Sequence, residues 1–382
     1  MACCDVVILG GGPAGCATAL SLRSHCPSLK LVLLEASAYA QPRVGEVLPA
    51  IARPLLTHLG VWESFTAESF RSVHSQAAAW GQPALIENHF IYSARGAGWH
   101  LDRTRFDQLL AEQVAQRGVE VRFRTRVVSM VQAMADLSHG ADGTDIAPEA
   151  DAAPYHWHFH LSDRTLLQAK FVVDATGRRA LIAQKMGARP QLADRLTAFV
   201  RFFSLNSRPI AGTAIEAFPH GWWYTALAGK RRVVACLSDH DIACELGLKE
   251  SDRWLSLLQQ TQWIRSRVGD GVMQGDAIVR PASATCLDRL HGNHWLAVGD
   301  AASAYDPLSS QGITKALRLG IFAGYAVGDR LTQANGTGLA KYASLVRREY
   351  ASYRTAHRQY SLQEQRWPQN RFWARRHCLH AQ

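Results

Sequence analysis

None of the eight cysteines in this 382-residue chain stands in a C-x-x-C pair, and no Cys/His group has the spacing of zinc ligands. A dithiol redox centre and a zinc site are therefore not written in the sequence, and no metal is expected. No apolar run approaches the roughly 20 residues that a membrane-spanning helix needs. The N-terminus, MACCDVVILGGG, has no basic n-region and no cleavage site. Its apolar run ends in glycines and reads as a strand, and a cytoplasmic protein is expected. The chain also has no W-x-W, no lysine between Lys30 and Lys170, no internal repeat and only one G-x-G-x-x-G. Basic residues outnumber acidic ones by 42 to 32, for a net charge of +10. No nucleic-acid fold signature accompanies that charge, so it leaves an acidic protein partner open and speaks for neither nucleic acid nor membrane. One stretch runs against it: 135–154 (ADLSHGADGTDIAPEADAAP) has five acids and no Lys or Arg. It separates two strand-like runs, Val127 to Met134 and Tyr155 to Leu161, and reads as a mobile excursion.

What is present begins with a βαβ pattern. Asp5 to Leu9 (DVVIL) is a short buried strand, Gly10 to Gly15 (GGGPAG) follows, and a helical pattern runs to about Arg23. A second strand, Leu29 to Leu34, ends at Glu35, roughly 20 residues beyond the last glycine. Gly10 allows the tight turn, Gly12 lets backbone approach a pyrophosphate, and Gly15 lets helix and strand pack closely. The helix start, with Pro13 and Ala14, offers N–H groups to phosphate. Glu35 is placed to accept hydrogen bonds from a ribose. A second stretch lies near the other end of the chain. GDAASAYDPLSSQGI (Gly299 to Ile313) follows the apolar run HWLAV and precedes a helical pattern to about Leu331. An Asp at a strand end, a Pro, and a Gly-rich helix start imply a ligand touched by both ends of the chain.

On these residues the chain resembles the flavoprotein hydroxylase superfamily with the p-hydroxybenzoate hydroxylase fold. The resemblance implies an α/β protein with FAD as its cofactor. It combines a Rossmann-like FAD-binding domain, an antiparallel β-sheet substrate domain and C-terminal helices. It implies that Gly299 and Asp300 meet the FAD ribose and pyrophosphate, and that Pro307, Gln311, Gly312 and Ile313 approach the isoalloxazine. Arg43, in QPRVGEVLP, and Arg103, in WHLDRTRFDQLL, match family arginines near the FAD. Asp174, Thr176 and Gly177, in FVVDATGR, form another strand end facing the cofactor, and Ala36 and Val127 complete the implied contacts. The FAD-binding pieces are expected at 1–73, 96–190 (interrupted by 135–154) and 276–340. Strands in 74–95 and 191–275 are expected to form the substrate domain: His74 to Trp80, Leu85 to Tyr92, Thr197 to Leu205, Thr213 to Phe218, Gly221 to Leu227 and Arg232 to Leu237. Ser251 to Val268 reads as one helix. Residues 341–382 carry a long basic helix and an aromatic-basic tail, EQRWPQNRFWARRH, which is either a structural clamp or a docking element for a protein substrate.

A disulfide reductase needs a second Rossmann unit and a redox cysteine pair, and neither is here. Tryptophan halogenases share the fold and a Gly-Glu loop like Gly45-Glu46, but they need W-x-W-x-I-P and a lysine in the N-terminal half. Phenol hydroxylases carry an Asp-Gly motif that helps bind NAD(P)H; here the matching strand ends Asp-Ala-Thr-Gly-Arg, so the electron donor stays open between NAD(P)H and a reduced flavin. Gly98 to Asp107, Asp306 to Leu317 and Arg366 to Arg376 are similar to the flavoproteins that mature cysteine tryptophylquinone enzymes by modifying a tryptophan in a precursor protein. The resemblance implies hydroxylation of an electron-rich ring through a flavin C4a-hydroperoxide. The expected substrate is a tryptophan side chain of a quinone-cofactor enzyme precursor; the alternatives are a small aromatic or indolic metabolite, or a flavin-binding assembly factor without turnover. Pro307, Ser309, Ser310 and Gly312 at the flavin, and Trp223 on the roof strand, are the candidate catalytic positions. His100 and His240 are read as core or solvated histidines, with proton transfer as the alternative.

Overall fold

The computed structural model describes residues 2–89, 96–132, 156–205 and 209–378. The acidic stretch 135–154, and with it the expected excursion, lies outside the described residues. Five parallel strands form the centre of the first sheet, in the order Glu120–Arg122, Leu31–Leu34, Ala2–Leu9, Leu166–Asp174 and Trp295–Ala297. Parallel strands covered on both faces must be apolar on both, and Val6 to Leu9 and Leu31 to Leu34 are all buried. A hairpin of Val127–Gln132 and Trp157–Leu161 continues the sheet antiparallel. Register places Leu9 beside both Leu34 and Asp174, and Asp174 beside Ala297. Four strands therefore release the chain along one edge, beyond which ligands sit in open α/β sheets.

The helix Pro13–His25 starts at that edge, with Pro13 in the first turn, where a missing N–H costs nothing. The helix Gly312–Thr332 lies against it. A Cβ added to Gly320 would stand 2.6 Å from Ala17 Cβ, and one on Gly324 2.7 Å from Ser21 Oγ. The two backbones approach closely because those positions carry no side chain.

The second sheet has seven strands in the order Met273–Pro281, Leu196–Ser204, Arg231–Asp239, Gly221–Ala228, Thr213–Phe218, Ser75–Ala79 and Ile86–His89. The pairing is antiparallel except between Thr213–Phe218 and Ser75–Ala79, which run parallel. Met273–Pro281 crosses the boundary expected between 275 and 276, so the division there falls inside a strand. Side chains alternate between the faces. Ala198, Val200, Trp222, Val233, Ala235 and Leu237 belong to one apolar cluster. Phe199, Phe203, Trp223, Val234 and Cys236 belong to another, closed by Trp254, Leu258 and Ile264.

The expected single helix at Ser251–Val268 is two, Ser251–Gln259 and Trp263–Val268. Glu216 makes the break: its carboxylate accepts the N–H groups of Gln262, Trp263 and Ile264 at 2.8–3.0 Å, capping the second helix. The tail is a clamp. Phe372 and Trp373 are buried, Trp373 Nε1 donates to Phe218 O at 2.9 Å, and Arg376 pairs with Asp239 at 2.8 Å. Those aromatic rings are held within the fold and are not available as docking anchors.

Candidate active site

Beyond the edge of the first sheet lies a cavity of about 390 Å³. Gly10, Gly12, Glu35, Ala36, Arg43, Val127, Thr176 and Gly177 all line it. Gly10 sits at φ +113°, and a Cβ there would stand 2.3 Å from Ala175 O; a Cβ on Gly15 would stand 1.9 Å from Gly10 O. Those two glycines are packing requirements. Gly12 differs: a Cβ there meets nothing within 4 Å, because that side opens into the cavity. Glu35 accepts the Gly11 N–H at 2.8 Å through Oε2, and the Ser37 N–H at 2.9 Å and hydroxyl at 2.6 Å through Oε1. Arg43 reaches Glu35 at 3.2 Å and Asp107 at 2.7 Å. Asp107 also pairs with Arg103 at 3.1 Å. This fully buried carboxylate fixes both arginines, and it was missed in the sequence, where its signal is the four-residue spacing from Arg103 on one helix.

A second cavity of about 250 Å³ lies between the first sheet's edge and the second sheet. One wall is Asp300, Pro307, Ser310, Gln311, Gly312 and Ile313, with Gly45, Glu46 and Arg103 beside them. The roof is Ala198, Val200, Trp222, Tyr224, Val233, Ala235 and Leu237. The helix Gly312–Thr332 starts at this wall, so its first N–H groups point toward the chamber's floor. Lys315 reaches back from the first turn: its Nζ pairs with Asp300 at 2.8 Å, contacts Ser303 O and lies over the Tyr305 ring. Burial alone would raise the Asp300 carboxyl, but the Lys315 and Arg178 charges outweigh it and hold it below the usual carboxylate range.

Asp306 does more than cap the next turn. Its Oδ1 accepts the Leu308 N–H at 2.9 Å, its Oδ2 lies 2.8 Å from His357 Nε2, and its N–H donates to the Tyr353 hydroxyl at 2.8 Å. The long helix Thr337–Gln363 thereby holds the loop 306–312 in place.

Several expected positions are elsewhere. Trp223 faces away from the chamber, against Trp254 at 5.0 Å between ring centroids, because alternation along its strand gives the chamber to Trp222 and Tyr224. Ser309 lines a neighbouring cavity of about 400 Å³ on the other side of the loop. Asp174 is buried, and its carboxylate accepts from Thr176, Ile182 and Ala183, capping the helix Leu181–Lys185. Its carboxylate therefore faces its own helix, away from both cavities. Pro13 and Ala14 lie within the first helix turn, and a Cβ on Gly299 would stand 2.5 Å from Ala14 Cβ, so these positions pack the two chain ends together. His100 is buried away from the chamber, and His240 is exposed beside Cys244.

Residues 3–353 match the family described as FAD binding domain. The chain belongs to that family. It is an FAD-dependent oxidoreductase, and the cofactor's fit is visible in Gly12, which leaves open space where any side chain would stand. A protein of Marinomonas mediterranea named putative FAD-dependent oxidoreductase LodB is 30% identical over 390 residues, covering 99% of this chain and 98% of its own. The myxobacterial chondrochloren halogenase CndH matches with a TM-score of 0.85 at 20% identity, over 98% of this chain and 86% of its own. QhpG, a peptidyl tryptophan dihydroxylase essential for tryptophylquinone cofactor biogenesis, matches with a TM-score of 0.70 at 22% identity, over 98% and 79%. At those identities the two structures establish the mixed α/β fold. Flavin-dependent halogenases recur among the other relatives, one from Armillaria mellea at 23% identity with 62% of its length covered. A special nearness to the tryptophan-modifying group is therefore not set apart by the comparisons. Among the described residues no helix is long and apolar enough to cross a membrane.

Proposed function

We propose that this oxidoreductase is a monooxygenase that hydroxylates an electron-rich aromatic ring, and that the ring is a tryptophan side chain of a partner protein. The observation that carries the reading is the chamber whose floor is the 307–313 loop and whose roof is apolar and aromatic. Bound FAD, once reduced, supplies an activated oxygen atom from dioxygen. Glu35 would hold the adenosine ribose, Gly12 and the helix start at Pro13 the pyrophosphate, and Pro307 to Ile313 the ring system. The N-terminus of Gly312–Thr332 would favour negative charge on that ring. The roof excludes water and holds the substrate ring in one orientation, which lowers the entropic part of the barrier. The division into FAD-binding pieces and a roof sheet belongs to the same proposal.

The peptidyl tryptophan dihydroxylase of the same fold supports a protein-borne indole. The halogenase likenesses support a second reading, but among the described residues the chamber is lined by Arg103, Arg178 and Arg280 and by no lysine, and the chain has no W-x-W. The test is to mix the reduced holoenzyme with oxygen and a precursor quinoprotein made without its maturation partner, free tryptophan or indole, each with and without bromide. Faster flavin reoxidation and an oxygenated product with the precursor support the reading. A brominated product assigns a halogenase, oxygenation of the free indoles alone assigns a metabolite hydroxylase, and no product at all assigns an assembly factor.

A further inference from the structure

Glu46 and Tyr224 face each other in the chamber, and both keep hydrogen-bonding capacity. The Glu46 side chain is buried, its Oε1 accepts the Gly45 N–H at 3.0 Å, and its Oε2 faces the Tyr224 hydroxyl at 3.4 Å, near the limit of a hydrogen bond. A carboxylate has about four acceptor sites, so this one has capacity left. The nearby arginines are engaged elsewhere: Arg103 with Asp107 and Val44 O, Arg178 with Ser283 O and Tyr305 O. Burial pushes the Glu46 carboxyl up, against the pull of the Gly45 N–H, Arg103 and Tyr224. A buried carboxylate with a weak partner is costly unless a donor reaches it.

An indole offers a single N–H on an otherwise apolar ring, which matches one carboxylate in an apolar chamber. We propose that the Glu46 carboxylate, steadied by the Tyr224 hydroxyl, accepts the N–H of the substrate's indole and so fixes which ring edge faces the 307–312 loop. This rests on the reading that an indole enters the chamber. The bond serves two ends. It sets the ring's rotation in its own plane, and a charge-assisted acceptor on the N–H raises electron density in the ring that is to be attacked. It also makes the site reject rings that cannot donate, because the carboxylate would then stay buried without a partner.

The experiment titrates holoenzyme with skatole and with N-methylskatole, which lacks the N–H. Wild type is expected to prefer skatole by at least about tenfold. Glu46→Leu, with FAD content and melting temperature retained, is expected to bind both alike, and Tyr224→Phe is expected to keep most of the preference. If Glu46→Leu loses FAD, Glu46→Gln, of the same size, is expected to lower the preference several-fold; an unchanged ratio in it overturns the proposal. Equal preference in wild type and Glu46→Leu overturns the proposal and leaves the tryptophan reading standing. Binding of neither ligand by wild-type holoenzyme overturns both.

Discussion

Gly12 is the residue on which the cofactor assignment turns. Its backbone is extended, not left-handed, and a Cβ there clashes with nothing in the protein. Gly12→Val should therefore fold normally while its side chain fills the cavity, and the purified variant should lack flavin absorbance. Bound flavin in a folded variant would contradict the placement of the pyrophosphate. His100 carries a different prediction. Among the described residues neither of its buried ring nitrogens has a hydrogen-bond partner, and burial, with Arg71 and Arg232 nearby, lowers its pKa to about 4. The unfolded chain then binds a proton that the folded one refuses, so stability rises with pH between about 4 and the unfolded value near 6.5. The loss on acidification across that window is about 3 kcal/mol. Denaturant titrations should show this slope in wild type and a flatter one in His100→Leu.

At the level of elements, the sequence was most legible where backbone geometry dictates residue type. Gly10 to Gly15 and Gly299 to Ile313 are unusual because a strand must turn into a helix with room for a ligand, and both were readable. The directions of side chains were not. The second sheet is covered on both faces, so Trp222, Trp223 and Tyr224 are all apolar or aromatic, and alternation could not tell the chamber face from the core face. Asp174 stands at a strand end facing the cavity in sequence terms, yet the helix start at Ile182 and Ala183 captures its carboxylate. Lys315 sits in a helical pattern that gives no sign of its turning back to Asp300. The contact of the two long helices was also hidden, because Gly320 and Gly324 read as helix-weakening residues until the opposing Ala17 and Ser21 are seen. Gly320→Val should push the helices apart and cost roughly 1–3 kcal/mol from overpacking. A lower melting temperature together with weaker FAD retention is the expected result, since the same helix presents Gly312 to the chamber.

At the scale of the molecule, Val44 to Val47, the distal loop and the seven-stranded sheet converge on one chamber from chain positions far apart. The long helix Thr337–Gln363 holds the loop through Tyr353 and His357, and the tail locks onto the sheet through Trp373 and Arg376. In the proposed function that arrangement sets the roof over the loop that would hold the cofactor's ring system, which suits the positioning of one flat ring. The most direct measurement is mass spectrometry of the partner protein's tryptophan-containing peptide after reaction with reduced holoenzyme under isotopically heavy dioxygen. The account predicts that the tryptophan gains one or two heavy oxygen atoms. Oxygen drawn from water, or an unmodified tryptophan while the reduced flavin is reoxidised, would contradict it.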